Sequence, residues 1–226
     1  MPYAEDGRPL VLLSASRFGA AAGHSPYEDD TPERVALERL LGRPPEDQIP
    51  TYQYIAMQRG TLSEAETRRW YEKTTKTTVT AGVFCIPEWE PRIGGAPDGY
   101  VGDNGLLEIK SPVSMYPCVR AYVESKTSEP PTAADIPVCH YDQIQGCLAI
   151  TERQWCDYIV APRHDDPHSN DPLDSIAGQR LMIRIPFNPS YWGNLLVDIR
   201  RFLDMVLNDV VSTRFSDSSR DIDTNA

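Results

Sequence analysis

Apolar residues recur along this chain with two different spacings. Some segments alternate apolar and polar positions, which predicts strands, and others repeat apolar residues every three to four positions, which predicts helices with one buried face. The strands are expected over residues 77–86, 106–110, 154–160 and 181–185. The helices are expected over residues 31–41, 61–73, 115–126, 139–151 and 191–211. This order predicts an α/β fold, with a central mixed β-sheet flanked by helices on both sides.

The stretch over residues 93–112 carries dense turn signals, and the rest of the chain is organised around it. Asp98-Gly99 and Asn104-Gly105 are dipeptides typical of tight turns, so a β-hairpin is expected here. Side chains in a strand alternate in direction, which points Glu108 and Lys110 to the same face. Asp98, on the other leg of the hairpin, can reach that face. Two carboxylates and an ammonium group are therefore expected to converge on one spot.

This group of side chains suits the hydrolysis of a phosphodiester. Asp98 and Glu108, together with the backbone carbonyl of Ile109, supply the hard oxygen ligands that Mg²⁺ or Mn²⁺ prefers. A bound metal ion polarises a phosphoryl oxygen and lowers the pKa of a water molecule. Lys110 can orient or deprotonate that water, or stabilise negative charge in the transition state. The alternative is structural, with Asp98 in a turn and Glu108 and Lys110 on a solvated strand face.

Composition sets the size and organisation of the protein. At 226 residues, the chain has the length of one domain and the apolar content of an ordinary globular protein. We expect a single nuclease domain over residues 1–211. Serine and aspartate are frequent in residues 212–226, which we therefore expect to form a disordered acidic tail.

Charge and cysteine content limit the partners and the location. The formal net charge of −11 opposes long-range attraction to DNA, although a metal centre itself requires carboxylates. None of the five cysteines forms a Cys-x-x-Cys pair, which indicates reduced thiols in an intracellular protein. The sequence shows neither a signal peptide nor an apolar run long enough to cross a membrane. We therefore expect an intracellular protein that is not secreted and has no membrane partner.

The central motif resembles a known group of enzymes. Pro97-Asp98 followed by Glu108-Ile109-Lys110 is similar to the signature of the PD-(D/E)xK nuclease superfamily. The longer pattern, G-x-P-D-G followed by L-E-I-K-x-P, resembles lambda-type exonucleases, also called YqaJ-like viral recombinases. The resemblance implies a restriction-endonuclease-like core and a Mg²⁺-dependent deoxyribonuclease with two ions, for which Mn²⁺ can substitute. Such an enzyme would digest duplex DNA from its ends, 5′-to-3′, during viral or phage-type recombination, in the cytoplasm or nucleus of a host cell.

The resemblance also assigns roles outside the hairpin. Glu64 matches the glutamate of a G-x-x-x-E element beginning at Gly60, which would lie beside the metal and hold it directly or through water. Its alternative role is in a capping box with Thr61. Gln143 matches the first glutamine of a Q-x-Q element that lines the catalytic centre. Ser16 matches a serine that holds a DNA phosphate at a helix N-terminus, where its alternative role is a helix N-cap.

Three positions fit the family less closely. Arg8 is the nearest candidate for the arginine that accompanies the phosphate-binding serine, but it lies one residue out of the family spacing. Ala96 stands where the family has a serine in its pocket for a terminal 5′-phosphate, so a preference for that end group is open. His140 lies one turn before Gln143 on roughly the same helix face and can reach DNA, although a surface or partly packed histidine is the simpler interpretation.

The resemblance implies partners as well. These are double-stranded DNA, two further copies of the chain in a ring-shaped trimer, and a single-strand annealing protein. A ring eases the charge problem because only its channel must be basic. The candidate channel residues are Arg59, Arg68, Arg69, Lys73, Lys76, Arg120 and Lys126. Two alternatives stay open: an endonuclease of the same superfamily acting on internal sites or on RNA, and a non-catalytic DNA-binding scaffold that has kept the fold.

Overall fold

The computed structural model describes residues 11–26, 31–41, 64–111, 132–161 and 180–220, with only the backbone for residues 37–41 and 207–220. Its centre is a five-stranded sheet in the order β2-β4-β5-β6-β7. These strands are β2 (Val79–Ala81), β4 (Gly99–Val101), β5 (Gly105–Lys110), β6 (Trp155–Val160) and β7 (Leu181–Pro186). Two short strands, β1 (Leu13–Ser14) and β3 (Ile93–Gly94), form a separate parallel pair.

The helices of the described chain precede, connect and follow these strands. They are α1 (Phe18–Ala21), α2 (Pro32–Leu41), α3 (residues 64–75), α4 (Val138–Thr151) and α5 (Pro189–Arg220). Helix α2 begins as the sequence predicts, because the Thr31 hydroxyl accepts a hydrogen bond from the Arg34 N–H at 3.3 Å. Among the described residues, no helix combines the length and the apolar character that a membrane span requires.

The sheet is mixed because of a single parallel pair. Strands β5 and β6 run parallel, with Glu108 opposite Tyr158, whereas β2–β4, β4–β5 and β6–β7 are antiparallel. Parallel neighbours need a long crossover connection, and helix α4 lies in the connection between β5 and β6. The crossover places α4 against the sheet beside the end of β5.

Apolar side chains pack on both faces of the sheet. The larger core lies between the sheet and helices α1, α4 and α5. The smaller core, on the α3 face, contains Tyr71, Val79, Val101, Leu107, Ile109 and Ile159. Strand β5 serves both cores, since Leu106 belongs to the first and Leu107 and Ile109 to the second. The expected α/β fold with a central mixed sheet flanked by helices is confirmed.

Two local predictions, one for the central stretch and one for the strand before it, are wrong. Asp98-Gly99 is not a turn, because Gly99 begins β4 and the chain reverses over residues 102–104 instead, where Gly102 adopts a φ of 54°. Strand β2 is three residues long rather than spanning residues 77–86. It ends where Gly82 lies so close to the Pro97 carbonyl oxygen that an added Cβ would sit 1.7 Å from it.

The C-terminal helix is longer than the sequence predicts. Helix α5 extends through Arg220 and includes residues 212–220, which were expected to be disordered. This segment contains four serines and one aspartate but neither proline nor glycine to end a helix. Residues 221–226 and the helix predicted over residues 115–126 lie outside the described residues. The extent of the single domain stays a prediction.

A buried carboxylate fastens the segment before β3 to helix α5. Glu90, 5% exposed, accepts hydrogen bonds from both Nε and one terminal nitrogen of Arg92 at 2.7 and 2.9 Å, and from Nε of Arg200 at 3.0 Å. The hydrogen bonds from Arg92, reinforced by Arg200, lower the pKa of Glu90 from 4.5 to about 2. Ionised Glu90 therefore stabilises the folded chain above pH 4.5.

We expect Glu90→Gln to lower the free energy of unfolding by about 2 kcal/mol at neutral pH, the size of hydrogen bonds to a charged group. Because the folded-state pKa lies below the unfolded value, the difference from wild type should shrink as pH falls below 4.5 and vanish near pH 2. Urea denaturation at a series of pH values measures this, with exposed Glu88→Gln as the control. A difference that stays constant across this range would contradict the assignment.

Candidate active site

Glu108, Lys110 and Gln143 form a closed set between strand β5 and helix α4, in which each side chain contacts the other two. The Glu108 carboxylate oxygen Oε1 lies 2.7 Å from the Lys110 ammonium nitrogen. The Gln143 amide nitrogen donates to the same oxygen at 2.8 Å, and its amide oxygen accepts from the Lys110 ammonium at 2.9 Å. Glu108 and Lys110 therefore share a face of β5, as alternation predicts, and Gln143 of α4 lies against that face.

The burial of Glu108 explains why its carboxylate is paired with both other side chains. Glu108 is 3% exposed at the centre of the sheet, where an ionised carboxylate is costly unless it is paired and hydrogen-bonded. Lys110 supplies the opposite charge, and Gln143 supplies a donor for Glu108 and an acceptor for Lys110. Gln145, two residues or about 200° further round the helix, instead contacts the backbone of Pro186 and Asn188.

Asp98 is fixed just before β4 by three hydrogen bonds. Its carboxylate oxygen Oδ2 accepts from the Ile109 N–H at 2.6 Å, and its own N–H donates to the Leu107 carbonyl at 3.0 Å. Its backbone carbonyl accepts from a terminal nitrogen of Arg68 in α3 at 2.6 Å. Asp98 therefore stands beside the C-terminal half of β5, next to the two residues of the Glu-x-Lys motif.

The backbone of Ile109 also faces Asp98. Residues of a strand direct their N–H and C=O groups to alternate edges, and the Lys110 carbonyl accepts from the Ala161 N–H beyond β6 at 2.9 Å. Ile109 therefore directs its N–H and C=O to the opposite edge, and its N–H is the group that donates to Asp98. Strand β4 pairs with β5 only over Gly105–Leu107, so the Ile109 carbonyl lies beyond the end of β4.

Two carboxylates of the site, those of Asp98 and Glu64, have a raised pKa. The pKa of Asp98 lies well above its usual value, first because the group is buried and second because Glu108 is close. The pKa of Glu64, at the start of the described part of α3, is raised by the same two causes in the same order. Lys110 opposes both shifts. The site therefore concentrates negative charge that its own cations only partly offset.

The donor set fits a hard divalent cation. Oδ1 of Asp98 and Oε2 of Glu108 accept no hydrogen bond from the part of the chain that the structure describes. With the Ile109 carbonyl they give three oxygen donors around a site of excess negative charge. Within the same described ranges, no three His, Cys, Asp or Glu side chains form a group that could hold a metal. The structure therefore does not place Glu64 with Asp98 and Glu108 as a third ligand, and its role stays a prediction.

Ser16 and Arg8 are the residues predicted to bind a DNA phosphate. Ser16 is exposed inside a 3-10 turn over Ala15–Arg17, with its hydroxyl 3.2 Å from that of Ser14, so Ser14 rather than Ser16 occupies the position before the turn. Arg8 lies outside the described residues. The phosphate-binding roles of Ser16 and Arg8 stay predictions.

His140 is packed rather than presented to solvent. Its Nδ1 lies 2.9 Å from the hydroxyl of Tyr158, which is itself fully buried in β6. Burial, with a smaller effect of the Lys110 charge, lowers the pKa of His140 to about 3. The imidazole is therefore neutral at neutral pH and cannot contact a DNA phosphate as a cation. The simpler interpretation from the sequence, a partly packed histidine, agrees with this geometry.

Arg68 has a part in the site that the sequence does not predict. It was grouped with the basic residues of a DNA channel, yet its guanidinium donates to the backbone of Asp98. Arg68 follows Glu64 by four residues, and this spacing places both on one face of α3. That periodicity is the signal that could have assigned Arg68 to the site. Arg59, Arg120 and Lys126 of the same predicted group lie outside the described residues.

Sheet and site together define a class of fold. The five-stranded mixed sheet, with helices on both sides and Asp98 beside β5, is a restriction-endonuclease-like α/β fold. Within that class, the chain belongs to the YqaJ-like viral recombinase domain family, whose model matches residues 6–154. The family expected from the Pro97-Asp98 and Glu108-Ile109-Lys110 motifs is thereby confirmed.

Several solved structures resemble the chain over most of its length. The alkaline exonuclease LHK-Exo from Laribacter hongkongensis is 23% identical, with a TM-score of 0.66 over 91% of this chain and 93% of that one. LHK-Exo in complex with dAMP is 25% identical, with a TM-score of 0.66 over 92% and 93%. A phage-related exonuclease from Haemophilus somnus 129PT is 14% identical, with a TM-score of 0.58 over 91% and 96%. A comparison with curated proteins gave no match.

We expect Asp98→Asn to raise the free energy of unfolding by about 1 kcal/mol at neutral pH without divalent cations. The substitution removes a buried charge that Glu108 repels, and it keeps an oxygen that can accept from the Ile109 N–H. Because the folded-state pKa of Asp98 is raised, its charge costs stability above the unfolded pKa, so the gain should shrink as the solution is acidified.

Urea denaturation in the presence of a chelator measures this change. Asp103→Asn is the matched control, since Asp103 is exposed in the turn between β4 and β5, and its effect should stay within about 0.5 kcal/mol. A loss of stability in Asp98→Asn would show that the hydrogen bond of the charged carboxylate to Ile109 outweighs the repulsion from Glu108.

Proposed function

We propose that the chain is a metal-dependent DNA exonuclease that hydrolyses phosphodiesters from the ends of duplex DNA, in the 5′-to-3′ direction, during viral or phage-type recombination. The observation that carries this proposal is the closed set of Glu108, Lys110 and Gln143 beside Asp98. Membership of the YqaJ-like viral recombinase domain family supports it. The similar solved structures, which are exonucleases by their descriptions, support it as well.

The donor set supports the proposed metal requirement. The Asp98 and Glu108 carboxylates and the Ile109 carbonyl are the groups that would hold Mg²⁺, with Mn²⁺ as a substitute, and a pair of ions belongs to the same proposal. When bound, the metal supplies a Lewis acid for the phosphoryl group and lowers the pKa of a coordinated water. Glu64 is a further candidate to hold the metal through water, because the charges of Glu108 and Lys110 both act on the pKa of its carboxylate.

Lys110 is the residue placed to act on the reacting groups. Its side chain is 23% exposed, so it reaches solvent while Glu108 and Gln143 contact its ammonium from within the fold. In this role Lys110 orients the attacking water or stabilises the charge that develops on the phosphoryl oxygens. Gln143 fixes the direction of Lys110 and keeps one oxygen of Glu108 engaged, which leaves the other oxygen for the metal.

The substrate proposed is duplex DNA. One of the similar solved structures is described as a complex of LHK-Exo with dAMP, a DNA mononucleotide of the kind that an exonuclease releases. A ring-shaped homotrimer around the duplex and a single-strand annealing protein as partner are part of the proposal through the family. The ring has a physical rationale, because a chain with net charge −11 can bind DNA through a channel lined by its few cations.

We expect wild type with Mg²⁺ to release mononucleotides from linear duplex DNA, and Lys110→Ala to lose rate by a factor of about 100 or more. That loss is typical of removing one group that stabilises transition-state charge. Release of acid-soluble nucleotides from end-labelled DNA measures it. Arg201→Ala is the control, because Arg201 is exposed on α5 and pairs only with Asp198 among the described residues, so its rate should equal that of wild type.

The choice of DNA separates the alternatives in the same assay. Nicking of closed circular DNA with no digestion of linear DNA would replace the exonuclease by an endonuclease. Equal rates on 5′-phosphorylated and 5′-hydroxyl ends would show that Ala96 has removed the end-group preference while the metal centre is retained. No cleavage of DNA or RNA with Mg²⁺ or Mn²⁺ would contradict the enzyme proposal and leave a DNA-binding scaffold.

A further inference from the structure

Arg68 joins helix α3 to the backbone of the site. A terminal nitrogen of its guanidinium donates to the Asp98 carbonyl at 2.6 Å. The helix that carries it packs on the opposite face of β5 from Gln143, through Tyr71 against Leu107 and Ile109. One hydrogen bond therefore connects α3 to the residue whose carboxylate accepts from the Ile109 N–H of β5.

The guanidinium of Arg68 contacts a backbone carbonyl rather than a carboxylate. No carboxylate in the described ranges forms an ion pair with Arg68, although Glu64 and Asp98 belong to the same acidic site. Its Nε is buried without a hydrogen-bond partner among the described residues. A buried donor left unsatisfied is costly, so the contact with the Asp98 carbonyl and the packing of the side chain must offset that cost.

The consequence of that contact passes along the backbone of Asp98. The Asp98 carbonyl is held by Arg68, its N–H by Leu107, and its carboxylate by the Ile109 N–H. The last bond sets the distance between the Asp98 carboxylate and the Ile109 backbone, which bears the carbonyl proposed as another metal ligand. A shift of Asp98 would therefore move its carboxylate, which is one proposed metal ligand. It would also release the Ile109 N–H, which adjoins the carbonyl that is the other proposed ligand.

We propose that Arg68 is a positioning residue that sets the affinity of the site for its metal by fixing Asp98 against Ile109. This inference rests on the proposed metal-dependent function. Removing such an indirect contact typically weakens metal binding roughly ten- to hundredfold. A role in charge balance alone predicts the opposite sign, because deleting a cation beside a metal site should tighten cation binding.

The first test measures the positioning itself, in metal-free protein. We expect Arg68→Met to accelerate amide hydrogen exchange of Ile109 about tenfold relative to Arg69→Met, the equivalent of one hydrogen bond, while the Ile159 amide of β6 is unchanged. Arg69 is the matched control because it is the exposed neighbour on the same helix. An unchanged exchange rate at Ile109 would overturn the proposal.

The second test measures Mn²⁺ binding without DNA, by the electron paramagnetic resonance signal of free Mn²⁺. The proposal expects roughly ten- to hundredfold weaker binding in Arg68→Met. Arg68→Lys, which keeps the charge but loses the planar fork, should also bind more weakly than wild type. Tighter binding in Arg68→Met, with wild-type binding in Arg68→Lys, would assign Arg68 to charge balance and overturn the proposal. If wild type itself binds no Mn²⁺, the proposed metal centre fails, and the Ile109 exchange rate still decides whether Arg68 positions Asp98.

Discussion

The site depends on a carboxylate buried inside a β-sheet. Glu108 lies at the centre of β5 with 3% of its surface exposed, where solvent cannot stabilise its charge. Lys110, two residues further along the same face, supplies the opposite charge. Gln143 of helix α4 donates a hydrogen bond to the carboxylate. The geometry of the centre is thus enforced by the penalty for leaving Glu108 unpaired.

The two faces of the sheet contribute different parts of the site. Gln143 approaches from the α4 face and sets the directions of Glu108 and Lys110. Helix α3 packs on the other face and reaches the site at the edge of β5, where Arg68 contacts the Asp98 backbone. Strand β4 begins only at Gly99, opposite Leu107, so β5 continues past its partner through Ile109. Chain topology therefore leaves the Ile109 N–H to the Asp98 carboxylate rather than to a strand partner.

Sequence patterns predicted the structural features that depend on the spacing of apolar and polar residues. The shared face of Glu108 and Lys110, the helix that carries Gln143 and the sheet that carries them follow from alternation and apolar spacing. The turn assigned to Asp98-Gly99 was wrong because turn dipeptides report local preference, whereas pairing with β5 draws Gly99 into β4. The contact of Arg68 with the Asp98 carbonyl joins distant segments of the chain. Its acceptor is a backbone group, which every residue has, so residue types do not predict this partner.

The most direct test of the account is the position of Mn²⁺ in crystals, found from its anomalous scattering. If these residues form the metal centre, an anomalous peak will lie within ligand distance of the Asp98 and Glu108 carboxylates and the Ile109 carbonyl. Glu108 will also keep its contacts with Lys110 and Gln143 while the metal is bound. The absence of a peak there, at an Mn²⁺ concentration at which the protein digests DNA, would contradict the account, and so would a peak held by other residues.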